Sequence, residues 1–300
     1  MYVDNIKKGL FAASFEESQR ISPNLISNKP FWYSLGDADS RNGFKRLFLI
    51  IPATMLAVMA YAQGVFLPEY LIKNPISETR YITSGIFYGI SYFRFLKPII
   101  IFLITTLISI TIINIFPKRN YMVQRIFGVV LLFNLILLAT FSIMPMSLGI
   151  ALGAAGWLGF ILINIYGLTF MFIKLNKRKQ NLKKELYMVD EYHEITQVTA
   201  VWEIMKKFFW VPLILILANI AIFKIGMIAK FSFWSFVWLF SGIVYYLMIT
   251  GFLYGTMKMF VSSYYFAKYS RSYKEIWKVT DEQWYGKRRA KRIAKRRKKR

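Results

Sequence analysis

The residues best suited to chemistry in this chain are cations. Eleven of the last fourteen residues are Lys or Arg: Lys287, Arg288, Arg289, Lys291, Arg292, Lys295, Arg296, Arg297, Lys298, Lys299 and Arg300. Such a run neutralises phosphate, whether on anionic lipid headgroups or on a nucleic-acid backbone. Beside a membrane, a cluster of cations holds an anionic leaflet at about 1 kcal/mol per residue before screening. Tethering keeps the tail concentrated at the bilayer, so anionic lipid is its expected contact. Ribosomal or other RNA is the sharper alternative.

Three asparagines, Asn134, Asn164 and Asn219, lie within apolar runs. An amide surrounded by lipid has to be paired, and hydrogen bonding between helices, worth about 0.6–2 kcal/mol, is the expected use. A path for a polar substrate is the alternative. Lys224 is the one charge inside an apolar run; near the run's outer end, it can snorkel its ammonium into the headgroups. Asp190, Glu191 and Glu194 flank His193, the single histidine of the chain. One imidazole and a few carboxylates on one helix read as a solvated acidic face before they read as a metal site. The stretch GDADSRNG at residues 36–43 lacks the closing Glu of a calcium loop and has Arg41 at a ligand position, so it reads as a turn.

Other chemistries find no residues to carry them. The chain has no cysteine, which removes disulfides, thiolate metal sites and thiol nucleophiles. The apolar runs hold no Asp, Glu or His, so ion-coupled transport through ionisable groups and intramembrane hydrolysis both lack their residues. No phosphate-binding glycine loop of the P-loop type occurs. The sequence therefore reads as non-enzymatic and without a cofactor.

The elements that must position these residues are membrane helices. With 56% of its 300 residues hydrophobic and 18% aromatic, the chain is too apolar for an ordinary soluble domain. Six apolar runs, residues 47–67, 98–116, 126–145, 149–173, 208–228 and 233–257, match the length of roughly 20 helical residues that a bilayer core requires. The spacing predicts an all-α polytopic bundle. Residues 126–145 and 149–173 form a hairpin expected to turn at residues 145–147. Gly149 and Gly153, and again Gly251 and Gly255, are four apart, the spacing at which helix backbones approach closely in lipid. The Gly-punctuated aromatic stretch 81–95 reads as an interfacial or partly re-entrant helix.

Three polar parts complete the organisation. Residues 1–46 are expected to place an amphipathic helix, capped by Asp4 and running to about Arg20, on the inner membrane surface. A long segment before the first apolar run leaves that run to act as the insertion signal. Residues 174–207 form a loop whose second half, 185–207, reads as a helix with an acidic side. Residues 258–300 form an aromatic and basic tail in which Tyr265, Tyr269, Tyr273 and Trp277 alternate with Lys and Arg. Of the 40 Lys and Arg residues, 34 fall in segments 1–46, 117–125, 174–207 and 258–300. By the positive-inside rule these face the cytoplasm, giving six spans with both termini inside. The expectation is an integral subunit or scaffold of a membrane transport or secretion assembly, with other membrane-protein subunits as partners. A stand-alone channel or transporter for a neutral or lipid-like substrate and a ribosome- or RNA-tethering factor are the rivals. Ile-, Lys- and Phe-rich usage favours a bacterial plasma membrane.

Overall fold

The computed structural model describes residues 9–21, 50–74, 82–116, 121–187, 233–277 and 280–299, with isolated positions at 214, 217 and 218. Among them the regular structure is entirely helical. Four helical stretches are long and apolar enough to cross a membrane: Ile50–Lys73, Ser84–Ile115, Tyr121–Tyr187 and Val237–Lys268. Their outward side chains include Ile51, Met55, Phe102, Ile112, Phe133 and Phe172, all exposed, a surface suited to lipid rather than water. The all-α class expected from the sequence is the class observed among the described residues, with helices long and apolar enough to cross a membrane. The run 208–228 with Asn219 and Lys224, the helix and acidic cluster within 188–207, the turn at 36–43 and Arg300 lie outside the described residues.

The spans depart from the sequence reading where backbone chemistry bends them. After the short N-terminal α1 (Phe15–Ser18), the first stretch joins α2 (Ile50–Tyr61) to α3 (Leu67–Lys73) through a π-turn at Ala62–Phe66. Leu67 N–H reaches back to the Ala62 carbonyl. This widened turn makes room for the ring of Pro68, so the helix runs on past the expected end at residue 67. The second stretch joins α4 (Ser84–Tyr92) to α5 (Lys97–Ile115) through a 3-10 turn at Phe93–Leu96. Residues 84–96 therefore run on into α5 as one helical stretch rather than standing apart from it. Pro98 sits in the first turn of α5, where a missing N–H breaks no bond.

The hairpin expected to turn at residues 145–147 does not turn there. α6 (Tyr121–Met144) continues through a π-turn at Pro145–Gly149 into α7 (Ile150–Tyr187). The one non-helical residue is Gly156, at φ 69° and ψ −178°. A proline removes one hydrogen bond that a π-turn can absorb, whereas positive φ reverses the chain and suits a residue without Cβ.

Cross-contacts fix the directions. Against α8 (Phe233–Lys268), α6 pairs Arg125 with Ser262 and Ser263, Thr140 with Tyr245 and Ser147 with Ser241. One number rises as the other falls, so α6 and α8 are antiparallel. Beyond Gly156, α7 pairs Asn164 with Tyr246, Arg178 with Tyr254 and Glu185 with Lys258. There the numbers rise together, so α7 and α8 are parallel. The first stretch and α5 are antiparallel: Lys97 donates to Glu69 at 2.7 Å, and farther along α5 Ile100 meets Gly64. The core joining these helices contains Ala57, Ala60, Ile100, Leu107, Leu138, Leu152 and Tyr245.

Glycines decide one contact in that core. A Cβ on Gly89 would lie 2.1 Å from the Gly149 carbonyl oxygen, and one on Gly153 would lie 2.1 Å from that of Gly85. The backbones of α4 and the Gly149–Gly153 segment thus touch directly. Gly251 and Gly255 have open space where a Cβ would sit. The same spacing on α8 thus makes no close backbone contact with the other described helices.

Candidate functional site: the basic end of the bundle

The helix directions bring residues 9–21, the start of α6, the end of α7 and the end of α8 together at one end. This end is built on a tyrosine ladder. Tyr265, Tyr269 and Tyr273 recur every four residues, hence along one face of α8 and of α9 (Ser270–Ile276). Tyr265 Oη donates to the Leu10 carbonyl at 2.7 Å and accepts from Ala13 N–H at 3.0 Å. Tyr269 Oη donates to the Ala13 carbonyl at 2.9 Å. Tyr273 Oη and Ser18 Oγ share a bond of 2.7 Å. Tyr187 donates to the Gly9 carbonyl and Arg20 to the Leu186 carbonyl, each at 2.9 Å.

These bonds convert residues 9–21 into a strap across the bundle's end. Leu10, Ala13 and Ile21 are buried against Leu182, Leu186, Val261 and Tyr265. Within the described residues 9–21, the helix expected from Asp4 to about Arg20 is a single turn, α1, capped reciprocally by Ser14 and Glu17. Leu10, Ala13 and Ile21 pack on protein because the ladder offers partners for the strap's backbone, while Phe11 stays exposed.

The tail continues from the same platform. Thr280 caps α10 (Asp281–Tyr285) in a capping box with Gln283, and Trp284 is buried with Tyr121, Phe266 and Tyr273. Gly286, at φ 81°, ends α10 and starts α11 (Lys287–Arg297). Eight of the eleven residues of α11 are Lys or Arg, and none is buried. Pairs such as Lys287 with Lys291 and Arg292 with Arg296 stand one turn apart, each like-charge pair costing about 0.2–0.5 kcal/mol. A helix built this way is best stabilised by anions along its length.

Asp281 fastens α11 to the platform. Its carboxylate accepts from Lys274 and, at 3.0 Å, from Arg297. The hydrogen bond from Lys274, then the charges of Lys274 and Arg297, hold its carboxyl below the ordinary carboxylate range. A lowered folded-state pKa contributes stability above the ordinary value of about 4 that is lost as pH falls through the lowered one. Amide exchange in α11, corrected for the intrinsic pH dependence of the exchange chemistry, is therefore expected to be flat from neutral pH to about pH 5 and to rise once pH drops below about 4. Asp281→Asn should show the raised exchange throughout, and an unchanged profile in that variant would refute the fastening.

Within the helices, Asn164 donates to the Phe160 carbonyl at 2.7 Å and accepts from Tyr246 at 2.6 Å. It joins α7 to α8 and does not meet Asn134 across the hairpin. Asn134 is buried with no partner for its Oδ1. Two polar groups went unnoticed in the sequence. Gln124 donates to Asn114 at 2.9 Å across the short connection from α5 to α6. Arg125, read as one loop cation among several, is buried at 7% exposure between α6 and α8. The serines that hold it, Ser262 and Ser263, carry no spacing signal of their own.

The arrangement defines a class: a bundle of helices long and apolar enough to cross a membrane, with a cationic, aromatic-capped end. No protein-family model matches the chain, and no curated protein or solved structure is similar to it.

Proposed function

We propose that this chain is a non-enzymatic six-span subunit or scaffold of a larger bacterial plasma-membrane assembly of the transport or secretion type. Both termini face the cytoplasm, and the tail rests on anionic lipid. The observation that carries this reading is α11, a fully unburied cationic helix set beside an aromatic cap at the bundle's end. Aromatic residues and cations gathered at one level suit the cytoplasmic headgroup region.

Helix direction supports the six-span count. Because α7 and α8 are parallel neighbours, the chain between Tyr187 and Phe233 has to return from one end of the pair to the other. One crossing by residues 208–228 supplies that return and agrees with the clustering of basic segments on one side.

The test uses the full chain in nanodiscs of phosphatidylcholine alone or with added phosphatidylglycerol. Tryptic cleavage within residues 287–300 is expected to slow in the anionic discs, and 0.5 M salt should reverse the protection, because screening shortens the reach of surface charge to a few ångströms. Equal cleavage in both discs would overturn the lipid role. Co-sedimentation with ribosomes lost on truncation before Lys287 would replace it with RNA tethering. Recovery only as a lone monomer from mild detergent would overturn the subunit reading.

A further inference from the structure

We propose that Arg125, Ser262 and Ser263 form an interhelical site for one phosphate group, carried by an anionic lipid and independent of the basic tail. The proposal rests on a charge without a counter-charge. Arg125 is 7% exposed, yet the ion pairs of the described residues belong to Lys97, Lys258, Lys274 and Arg297. Its partners are neutral: Nε donates to Ser263 Oγ at 3.2 Å, Nη2 donates to Ser262 Oγ at 3.3 Å, and the Phe266 ring centroid lies 5.2 Å from Cζ. A guanidinium has five N–H donors, so these bonds leave three. A buried cation is strongly disfavoured unless an anion or further acceptors compensate it.

The opening is on the correct side for a lipid. The sealed, partnerless polar atoms among the described residues are Asn134 Oδ1, Arg178 Nε and Thr250 Oγ1, and none belongs to Arg125. Nη1, which makes no bond and is not among them, therefore reaches the small opening that the residue retains. Next to it along the same helices, Ile126 and Val130 on α6, at 37% and 47% exposure, and Tyr264 on α8, at 42%, are open to the outside. Tyr121 and Trp284, buried together near Arg125, mark the aromatic level at which headgroups begin. Phosphate oxygens fit the donor set. The Nη fork offers parallel N–H groups that suit a phosphate bidentately. Ser262 commits its proton to the Met259 carbonyl at 3.0 Å, whereas Ser263 accepts from Arg125 and keeps its own proton for an incoming oxygen. Basic pockets between helices near the cytoplasmic face are where anionic headgroups are captured.

The full chain in mixed phosphatidylglycerol and phosphatidylcholine micelles, analysed by native mass spectrometry, provides the test. The wild-type chain is expected to retain one phosphatidylglycerol in preference to phosphatidylcholine, and truncation before Lys287 should leave that retention intact. Arg125→Gln is expected to weaken it by about tenfold, the scale of a lost hydrogen bond to a charged group. Arg125→Lys keeps the charge without the fork and should fall between the two. Ser263→Ala, which disturbs packing least, covers the case in which Arg125→Gln fails to fold; it should weaken retention by a smaller factor. A second arm offers inorganic phosphate to delipidated protein and follows the phosphorus resonance. Binding of the lipid alone assigns the headgroup as the source; Arg125-dependent binding of both assigns any phosphate monoanion or diester. No preference for phosphatidylglycerol in the wild type, retention unchanged in both Arg125→Lys and Ser263→Ala, or loss on tail truncation alone would overturn the site.

Discussion

Gly153→Ala is expected to destabilise the bundle by about 3 kcal/mol, the upper part of the range for overpacked cores. A methyl group there would stand 2.1 Å from the Gly85 carbonyl oxygen and 2.4 Å from Ile86 Cα. Both obstacles are backbone, so no side-chain rotation relieves them, and α4 has to shift bodily away from the Gly149–Gly153 segment. That shift also opens the Gly89 to Gly149 contact one turn along. The measurement is the thermal midpoint, or the half-life at fixed temperature, in one detergent. Gly251→Ala is the control, because its Cβ would meet nothing within 4 Å. It should change stability little, or raise it slightly, since alanine is the better helix former. Equal effects from the two substitutions would mean that α4 does not pack on this segment.

Tyr265→Phe is expected to release the N-terminal strap. The hydroxyl is both donor to the Leu10 carbonyl and acceptor from Ala13 N–H, and Leu10, Ala13 and Tyr265 are all buried. Removing it orphans two sealed backbone groups at about 1–3 kcal/mol each, while the ring and its packing stay. Amide exchange over residues 10–21 should then accelerate by two orders of magnitude or so, since about 2.7 kcal/mol corresponds to a hundredfold. Tyr273→Phe should act more weakly, because Ser18 Oγ retains its bond to the Phe15 carbonyl at 2.7 Å. Unchanged exchange in the Tyr265 variant would remove the ladder as the strap's anchor.

The contrast between these residues explains what could be read in the sequence. Helical class and membrane character were legible because hydropathy is a property of each run by itself, and 18 or more apolar residues leave few alternatives. Breaks were less legible. Pro145 looked like the turn, but a π-turn absorbs it, and the reversal falls on Gly156, whose neighbours carry no turn signature. Spacing alone could not separate Gly149 and Gly153 from Gly251 and Gly255, since a period of four says which residues share a face and not what that face meets. The tyrosines stood out by their periodicity and their partners did not, because a bond between residues 252 positions apart leaves no local trace. Arg125 hid for a related reason: its burial is made by α8, far along the chain.

The strap has a consequence for the order in which the molecule is made. Residues 9–21 are made long before the ladder that receives them: Ala13 and the Tyr265 hydroxyl that holds it lie 252 positions apart. Until then Leu10, Ala13 and Ile21 have no place to go, so an interrupted chain displays a greasy N-terminal flag. Closing the clasp therefore waits until the tyrosines of α8 and α9 have been made and put in place.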